Sequence, residues 1–144
     1  MTNGLRGAGM QGNNSKVPRK ELYTTLGYGQ KARKFYALEQ NDYIYIFTGE
    51  NYTTPQQLHG REIERCIEHF SGTGWFPLGN SIDYVKEGSL GEYFKCKLKV
   101  SPKFASHFAA VLVKKSIIIY RFGPYNRVEL KVIGGIGEIN RLRP

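Results

Sequence analysis

The sequence predicts an α+β fold: a mostly antiparallel sheet of five to six strands, two helices packed on one face, and a basic, flexible N-terminal arm. Three observations carry this. Short segments of alternating or β-branched residues come in pairs joined by turn residues, at 34–47 and again at 116–133. Two stretches, 61–70 and 104–112, repeat apolar residues at helical spacing. Residues 1–20 hold Gly4, Gly7, Gly9, Gly12, Asn13 and Asn14, with hardly any apolar side chain to offset backbone ordering. The arm is therefore drawn as 1–20 and a single domain as 21–144.

Lys34–Glu39 and Asp42–Phe47 read as a hairpin turned by Gln40-Asn41-Asp42. In its second strand Ile44 and Ile46 point one way, and Tyr43, Tyr45 and Phe47 the other. Both faces are bulky, which predicts a central strand or one covered by a helix. The first helix is signalled by Thr54 as N-cap, Pro55 at the first helical position and Gln57 completing a capping box. Gly60 weakens that turn and marks a later possible start. Ile63, Cys66, Ile67 and Phe70 form its stripe, and Gly72 suits its end. Ile82–Val85 reads as a short strand. Glu92–Val100 alternates cleanly, with Phe94, Cys96, Leu98 and Val100 on one side and Tyr93, Lys95, Lys97 and Lys99 on the other, so a strand is expected there. Ser101 and Pro102 then open a second helix with Phe104, Phe108, Val111 and Leu112 on its stripe and Lys114 and Lys115 in its last turn. Ser116–Phe122 and Arg127–Ile133 close the domain as a hairpin around Gly123-Pro-Tyr-Asn126.

The 144 residues carry 21 Lys+Arg against 12 Asp+Glu, a formal net charge of +9. The charge is segmented. Residues 1–34 hold seven bases and one acid, residues 35–90 three bases and eight acids, and residues 91–144 eleven bases and three acids. A basic chain of this kind favours polyanionic partners. No apolar run reaches the eighteen or so residues of a membrane span. Residues 1–15 do not read as a secretory signal, so an intracellular setting, cytoplasmic or nucleoid/nuclear, is expected, with no membrane partner.

The constellation singled out is Lys95, Lys97 and Lys99. On a strand they project from one face about 7 Å apart, near the spacing of phosphates along one nucleic-acid strand. Tyr93 begins the same row. Lys103, Arg127 and Lys131 are expected on neighbouring elements, and Lys16, Arg19 and Lys20 of the arm add sequence-independent affinity. Stacking on unpaired bases would fall to Tyr93 or to other sheet aromatics, Tyr43, Tyr45, Tyr120 and Tyr125. The expected function is that of a small, non-enzymatic nucleic-acid-binding protein, on DNA or RNA, without a cofactor.

Two alternatives come from other classes. Glu129-Leu-Lys131 has the E-x-K spacing of metal-dependent nucleases, which need a second acid, from Asp83 or Glu92, to hold Mg²⁺. A structural or assembly subunit, such as a viral coat or a component of a larger complex, with a homo-oligomer or a larger assembly as its state, would instead present Trp75-Phe76-Pro77 as an exposed patch; buried, that segment is ordinary core, which is the expectation. Other signals carry less. Gly7-Ala-Gly-Met-Gln-Gly12 matches a dinucleotide loop in letters but has no strand before it or helix after it. Gly134-Gly-Ile-Gly137 leaves too little chain for a helix. His59, His69 and His107 complete no ligand spacing. Cys66 and Cys96 both fall on expected core faces, as packed thiols.

Overall fold

The computed structural model describes residues 19–27, 32–52 and 54–134, and the elements lie in this order. Strands β1 (Glu21–Thr24), β2 (Lys34–Gln40), β3 (Tyr43–Thr48) and β4 (Thr54–His59) form one antiparallel four-stranded sheet in the order β1-β2-β3-β4. Helix α1 (Gly60–Phe70) follows, then the two-residue strand β5 (Phe76–Pro77). Helix α2 (Leu90–Tyr93) runs into a π turn over Phe94–Leu98, and a 3₁₀ turn (Pro102–Phe104) leads into α3 (Ala105–Lys114). Strands β6 (Ile118–Phe122) and β7 (Val128–Val132) join β5 in a second, three-stranded sheet ordered β5-β7-β6. The α+β class is as expected. The single sheet of five to six strands is in fact two sheets, and among the described residues there are three α-helices.

The β2–β3 hairpin forms because Asn41 and Asp42 both take left-handed backbone, with φ of 54° and 67°. That two-residue turn matches the natural twist of paired strands, and Asn and Asp tolerate it best after glycine. Phe35, Ala37, Ile44, Ile46 and Leu58 then share the inner face and are buried. The helices lie against that face. Leu58 meets Ile63 and Cys66 of α1, Leu90 of α2, Phe94 of the π turn, and Phe108 and Leu112 of α3 around a small apolar void. The ring of Tyr23 stacks on Phe35 at 5.5 Å, so β1 adds to the same core. At the far end of α3, Lys115 bonds to Glu39 across 2.8 Å and ties the helix to the last part of β2.

Three sequence expectations are corrected. The Thr54–Pro55 segment starts no helix. It is strand β4, an edge strand, where proline's missing N–H does no harm. The helix begins at Gly60, capped by His59: its Nδ1 accepts from the Arg61 N–H at 3.0 Å, and the Glu62 carboxylate accepts from the His59 N–H at 2.9 Å. The Ile82–Val85 segment is a series of bends rather than a strand.

The third correction is the largest. Residues 92–98 are helical and Lys99 is their left-handed cap, so the lysine row does not exist as a strand ladder. Ser89 caps α2 by accepting from the Glu92 N–H at 3.0 Å, while the Glu92 carboxylate accepts from the Gly88 N–H at 2.9 Å. Helical spacing puts Leu90 and Phe94 on one side, where both are buried. The turn ends at Lys99 in left-handed backbone, φ 59°, with the Val100 N–H returning to the Phe94 carbonyl at 3.0 Å. Cys96, expected in the core, is exposed; Cys66 is buried as expected.

Leu78 and Gly91 bind the two halves together. The Leu78 N–H donates to Val128 O at 3.0 Å, and the Gly91 N–H donates to Leu78 O at 2.9 Å. Gly91 sits so close to the Gly79 carbonyl that any Cβ would overlap it. Among the described residues no helix is long and apolar enough to cross a membrane.

Candidate functional site

The outer face of the four-stranded sheet follows directly from the pairing register. Alternation sends Leu22, Tyr36, Phe47 and Pro55 to that face in one cross-strand row. The next row is Leu38, Tyr45 and Gln57, and the third is Gln40, Tyr43 and His59. All three helices pack on the opposite side around Leu58. The rings therefore contact one another. Tyr43 and Tyr45 are 5.7 Å apart between centroids, Tyr45 and Phe47 6.5 Å, and the latter pair is nearly parallel at 26°. His59 meets Tyr43 edge-on at 4.9 Å, and Tyr52, just past β3, meets Tyr36 edge-on at 5.0 Å.

Each of these rings is half-buried by its neighbours and keeps part of its surface in solvent. Cations border the field. Lys20 holds its ammonium 4.1 Å from the Phe47 ring centre, Arg19 stands exposed beside it, and Lys34 is exposed at the start of β2. The face thus combines flat π surfaces at the rise of a strand with positive charge around them. Tyr43 and Tyr45 are among the sequence candidates for stacking, on a strand expected to be central or covered by a helix; it is central in its sheet, and no described helix covers this face. Tyr36, Phe47, Tyr52 and Lys34 were missed. The signal for them was the Tyr43-x-Tyr-x-Phe47 period of two together with Tyr36 opposite Phe47 in a two-residue hairpin.

The other expected residues are scattered. Lys95, Lys97 and Lys99 are all exposed, but on the π turn and its cap, where neighbours two apart point in different directions. Tyr93 does not stand beside them. It packs half-buried against Phe70 at 5.8 Å and His69 at 5.0 Å, and burial raises its phenol pKa. Lys103 is exposed at the entry to α3, its ammonium 5.1 Å from the Phe104 ring. Arg127 lies 5.7 Å from Tyr125 in the β6–β7 turn. Lys16 lies outside the described residues.

The three-stranded sheet places Arg121, Glu129 and Lys131 on its outer face, where the Arg121 guanidinium donates to Glu129 Oε1 at 2.7 Å. Arg121 also lies 4.0 Å from the centre of the Trp75 ring, and Lys131 6.0 Å from it. The nuclease alternative needs Glu129 to meet a second acid. Instead Glu129 pairs with a cation, Glu92 caps α2, and Asp83 is exposed in a bend. Among the described residues no three His, Cys, Asp or Glu side chains converge on a point that would hold a metal ion. Of the Trp75-Phe76-Pro77 segment, Phe76 is buried and stacks on Phe70 at 4.1 Å, while Trp75 is half-buried under Arg121. It is core, as expected, rather than an apolar patch. No family model matches the chain, and no curated protein and no solved structure matches it significantly.

Proposed function

We propose that the chain is a small nucleic-acid-binding protein whose contact surface is the outer face of the four-stranded sheet, with unpaired bases stacked on Tyr36, Tyr43, Tyr45 and Phe47. The observation that carries the reading is that file of partly solvated rings on a sheet face that no described helix covers. An antiparallel sheet with projecting aromatics suits single strands, because every base offers a π face and each stacked base contributes roughly 1–3 kcal/mol. Duplex bases are already stacked on one another and present only their edges. Lys20, Arg19 and Lys34 supply the phosphate-neutralising charge, helped at longer range by the +9 of the whole chain. Lys95, Lys97 and Lys99 contribute to that field as separate charges, not as a phosphate ruler.

Anisotropy of a labelled mixed-sequence 12-mer, single-stranded and duplex, at several salt concentrations tests this. Single strands are expected to bind more tightly, and the double variant Tyr43→Ala/Tyr45→Ala to lose at least tenfold while its circular dichroism stays that of the parent. Equal affinity of parent and double variant, or no binding at low salt, overturns the assignment.

A further inference from the structure

At the end of the sheet where β2 starts and β3 stops, the chain leaves a cleft of about 450 Å³. Arg33 and Lys34 of the β2 start, Thr48, Asn51 and Tyr52 past the end of β3, and His107 of α3 line it. The lining is thus two permanent cations, a hydroxyl, an amide, a phenol and an imidazole, with no carboxylate among the described lining side chains. This is the donor set that a tetrahedral oxyanion requires.

The positions are fixed rather than incidental. The Arg33 backbone is clasped by Thr25: its N–H donates to Thr25 Oγ1 at 2.8 Å, and its carbonyl accepts from the Thr25 N–H at 2.8 Å. Opposite, Asn51 and Tyr52 are consecutive left-handed residues, φ 66° and 55°. A tyrosine in that conformation is uncommon and strained by about 1–3 kcal/mol, the kind of strain that gathers at ligand sites. The Tyr52 N–H closes this turn on Gly49 O at 3.0 Å. His107 turns Nδ1 to the Lys103 carbonyl at 3.2 Å and sets its ring edge-on to Phe35 at 4.9 Å. Burial lowers its pKa, so the positive charge of the cleft comes from Lys34, which is exposed, and from Arg33, whose guanidinium already donates to the Ala32 carbonyl at 3.2 Å.

The cleft and the aromatic face share a wall. The Tyr52 ring lines the cleft and touches Tyr36. The rings of Tyr43, Tyr45 and Phe47 file along β3, whose last residue, Thr48, also lines the cleft. A strand stacked along β3 runs out of ring surface where the cations begin.

We infer that this cleft is a phosphate site that receives the terminal phosphate of a bound single strand, so that one end of the strand is held in a fixed place on the sheet. This deepens the stacking reading and rests on it for its ligand, though the cleft's own affinity for phosphate does not. A terminal phosphomonoester brings up to two negative charges, against one for an internal phosphodiester, and has no onward chain to accommodate.

Three labelled 8-mers of one sequence separate the possibilities: 5′-phosphorylated, 3′-phosphorylated, and hydroxyl at both ends. One phosphorylated form is expected to bind at least fivefold more tightly than the hydroxyl form. The variant Arg33→Gln is expected to erase most of that advantage while keeping most of the affinity for the hydroxyl form, whereas Lys34→Gln is expected to weaken all three strands and to reduce the advantage as well. Equal affinity for all three overturns the terminal-phosphate site and leaves the stacking reading standing. If none of the three binds, the stacking reading fails, and inorganic phosphate alone decides the cleft. A saturable shift of the His107 ring signals in NMR, absent in Lys34→Gln, supports a phosphate site; no shift with phosphate up to tens of millimolar overturns it.

Discussion

The two sheets expose the same residue types to opposite effect. On the outer face of the four-stranded sheet, Tyr43, Tyr45 and Phe47 touch one another, and their cations stand at the border or over a ring. On the three-stranded sheet, Trp75 is already covered by Arg121, and Arg121 is already neutralised by Glu129. One face offers a file of touching rings and net charge to a ligand; on the outer face of the other, the Trp75 ring and the Arg121 charge are already engaged, while Lys131 stays exposed. Counting aromatics and bases along the chain does not separate the two faces. What separates them is whether the carboxylate of Glu129 lies within reach of the guanidinium beside the ring.

That comparison presumes that the two sheets are held as one body, and its most drastic break is at the seam. Gly91→Ala puts a methyl group into the Gly79 carbonyl, and backbone on both sides has to move. The substitution is expected to destabilise the chain by about 3 kcal/mol or more, read as a lower midpoint in urea unfolding. An unchanged midpoint means that the Leu78–Gly91 contact does not join the halves.

The next largest effect compares ring with ring. Tyr45→Ala removes the middle of the file and is expected to weaken single-strand binding about tenfold, within the roughly 1–3 kcal/mol of one stacked base. Trp75→Ala removes a larger ring from the other sheet and is expected to change binding by less than about twofold, since Arg121 occupies its face and contributes about 1 kcal/mol there at most. If Trp75→Ala costs as much as Tyr45→Ala, the two faces have been assigned the wrong way round. The same pair of titrations also asks which surface carries the salt dependence. Lys20→Gln and Lys34→Gln should flatten the salt slope more than the same change at Lys95 and Lys97, which lie on a separate element.

How far the sequence disclosed this arrangement depends on how many residues each pattern had to speak with. The Lys34–Thr48 hairpin, the stripe of α1 and the Ser101-Pro102 start of the last helical region were legible because several independent signals agreed. Ser101 does accept from the Lys103 N–H, and Ile63, Cys66, Ile67 and Phe70 are all buried. Strand β1 is four residues long and too short to show a period. The failure at 92–100 has a specific cause. Phe94 and Leu98 are four apart, so they satisfy both a strand and a helix, and Cys96 and Val100 tipped the balance to a strand. Ser89-Leu-Gly-Glu92 was the stronger evidence, an S-x-x-E start placed just before the apolar residues. The rings of the site were visible as a period of two in β3. Their exposure was not, because it depends on which side the described helices choose, and a strand bulky on both faces reads equally as a central strand or as one covered by a helix.

Glu129→Gln sharpens the comparison by a smaller step. The ion pair with Arg121 is half exposed, 50% and 29% for the two side chains, so its loss is expected to cost under about 1 kcal/mol of stability. Binding should then rise about twofold as Arg121 regains its full charge, more than for Glu68→Gln on the exposed side of α1, which changes net charge equally. Equal gains from the two variants mean that only total charge matters and that the pairing of Arg121 is irrelevant to the difference between the sheets. Incubation of plasmid with Mg²⁺ and either parent or Glu129→Gln protein adds a second reading. Cleavage by the parent that the variant lacks revives the E-x-K alternative at this face.

The smallest effect carries a sign that strand and helix predict oppositely. Lys99 adopts φ 59° as the cap of the π turn, a conformation that costs a residue with a Cβ about 1 kcal/mol and costs glycine little. Lys99→Gly is therefore expected to stabilise the chain by about 0.5–1 kcal/mol, seen as a higher urea midpoint at unchanged slope. In the alternating strand that the sequence first suggests, the same change weakens the element, since glycine gives up entropy and packing in a strand interior. A lower midpoint for Lys99→Gly therefore restores the three-lysine row and with it a rival phosphate surface on Lys95, Lys97 and Lys99. A higher midpoint leaves these lysines as independent charges and the file of rings on β3 as the surface to which a strand is bound.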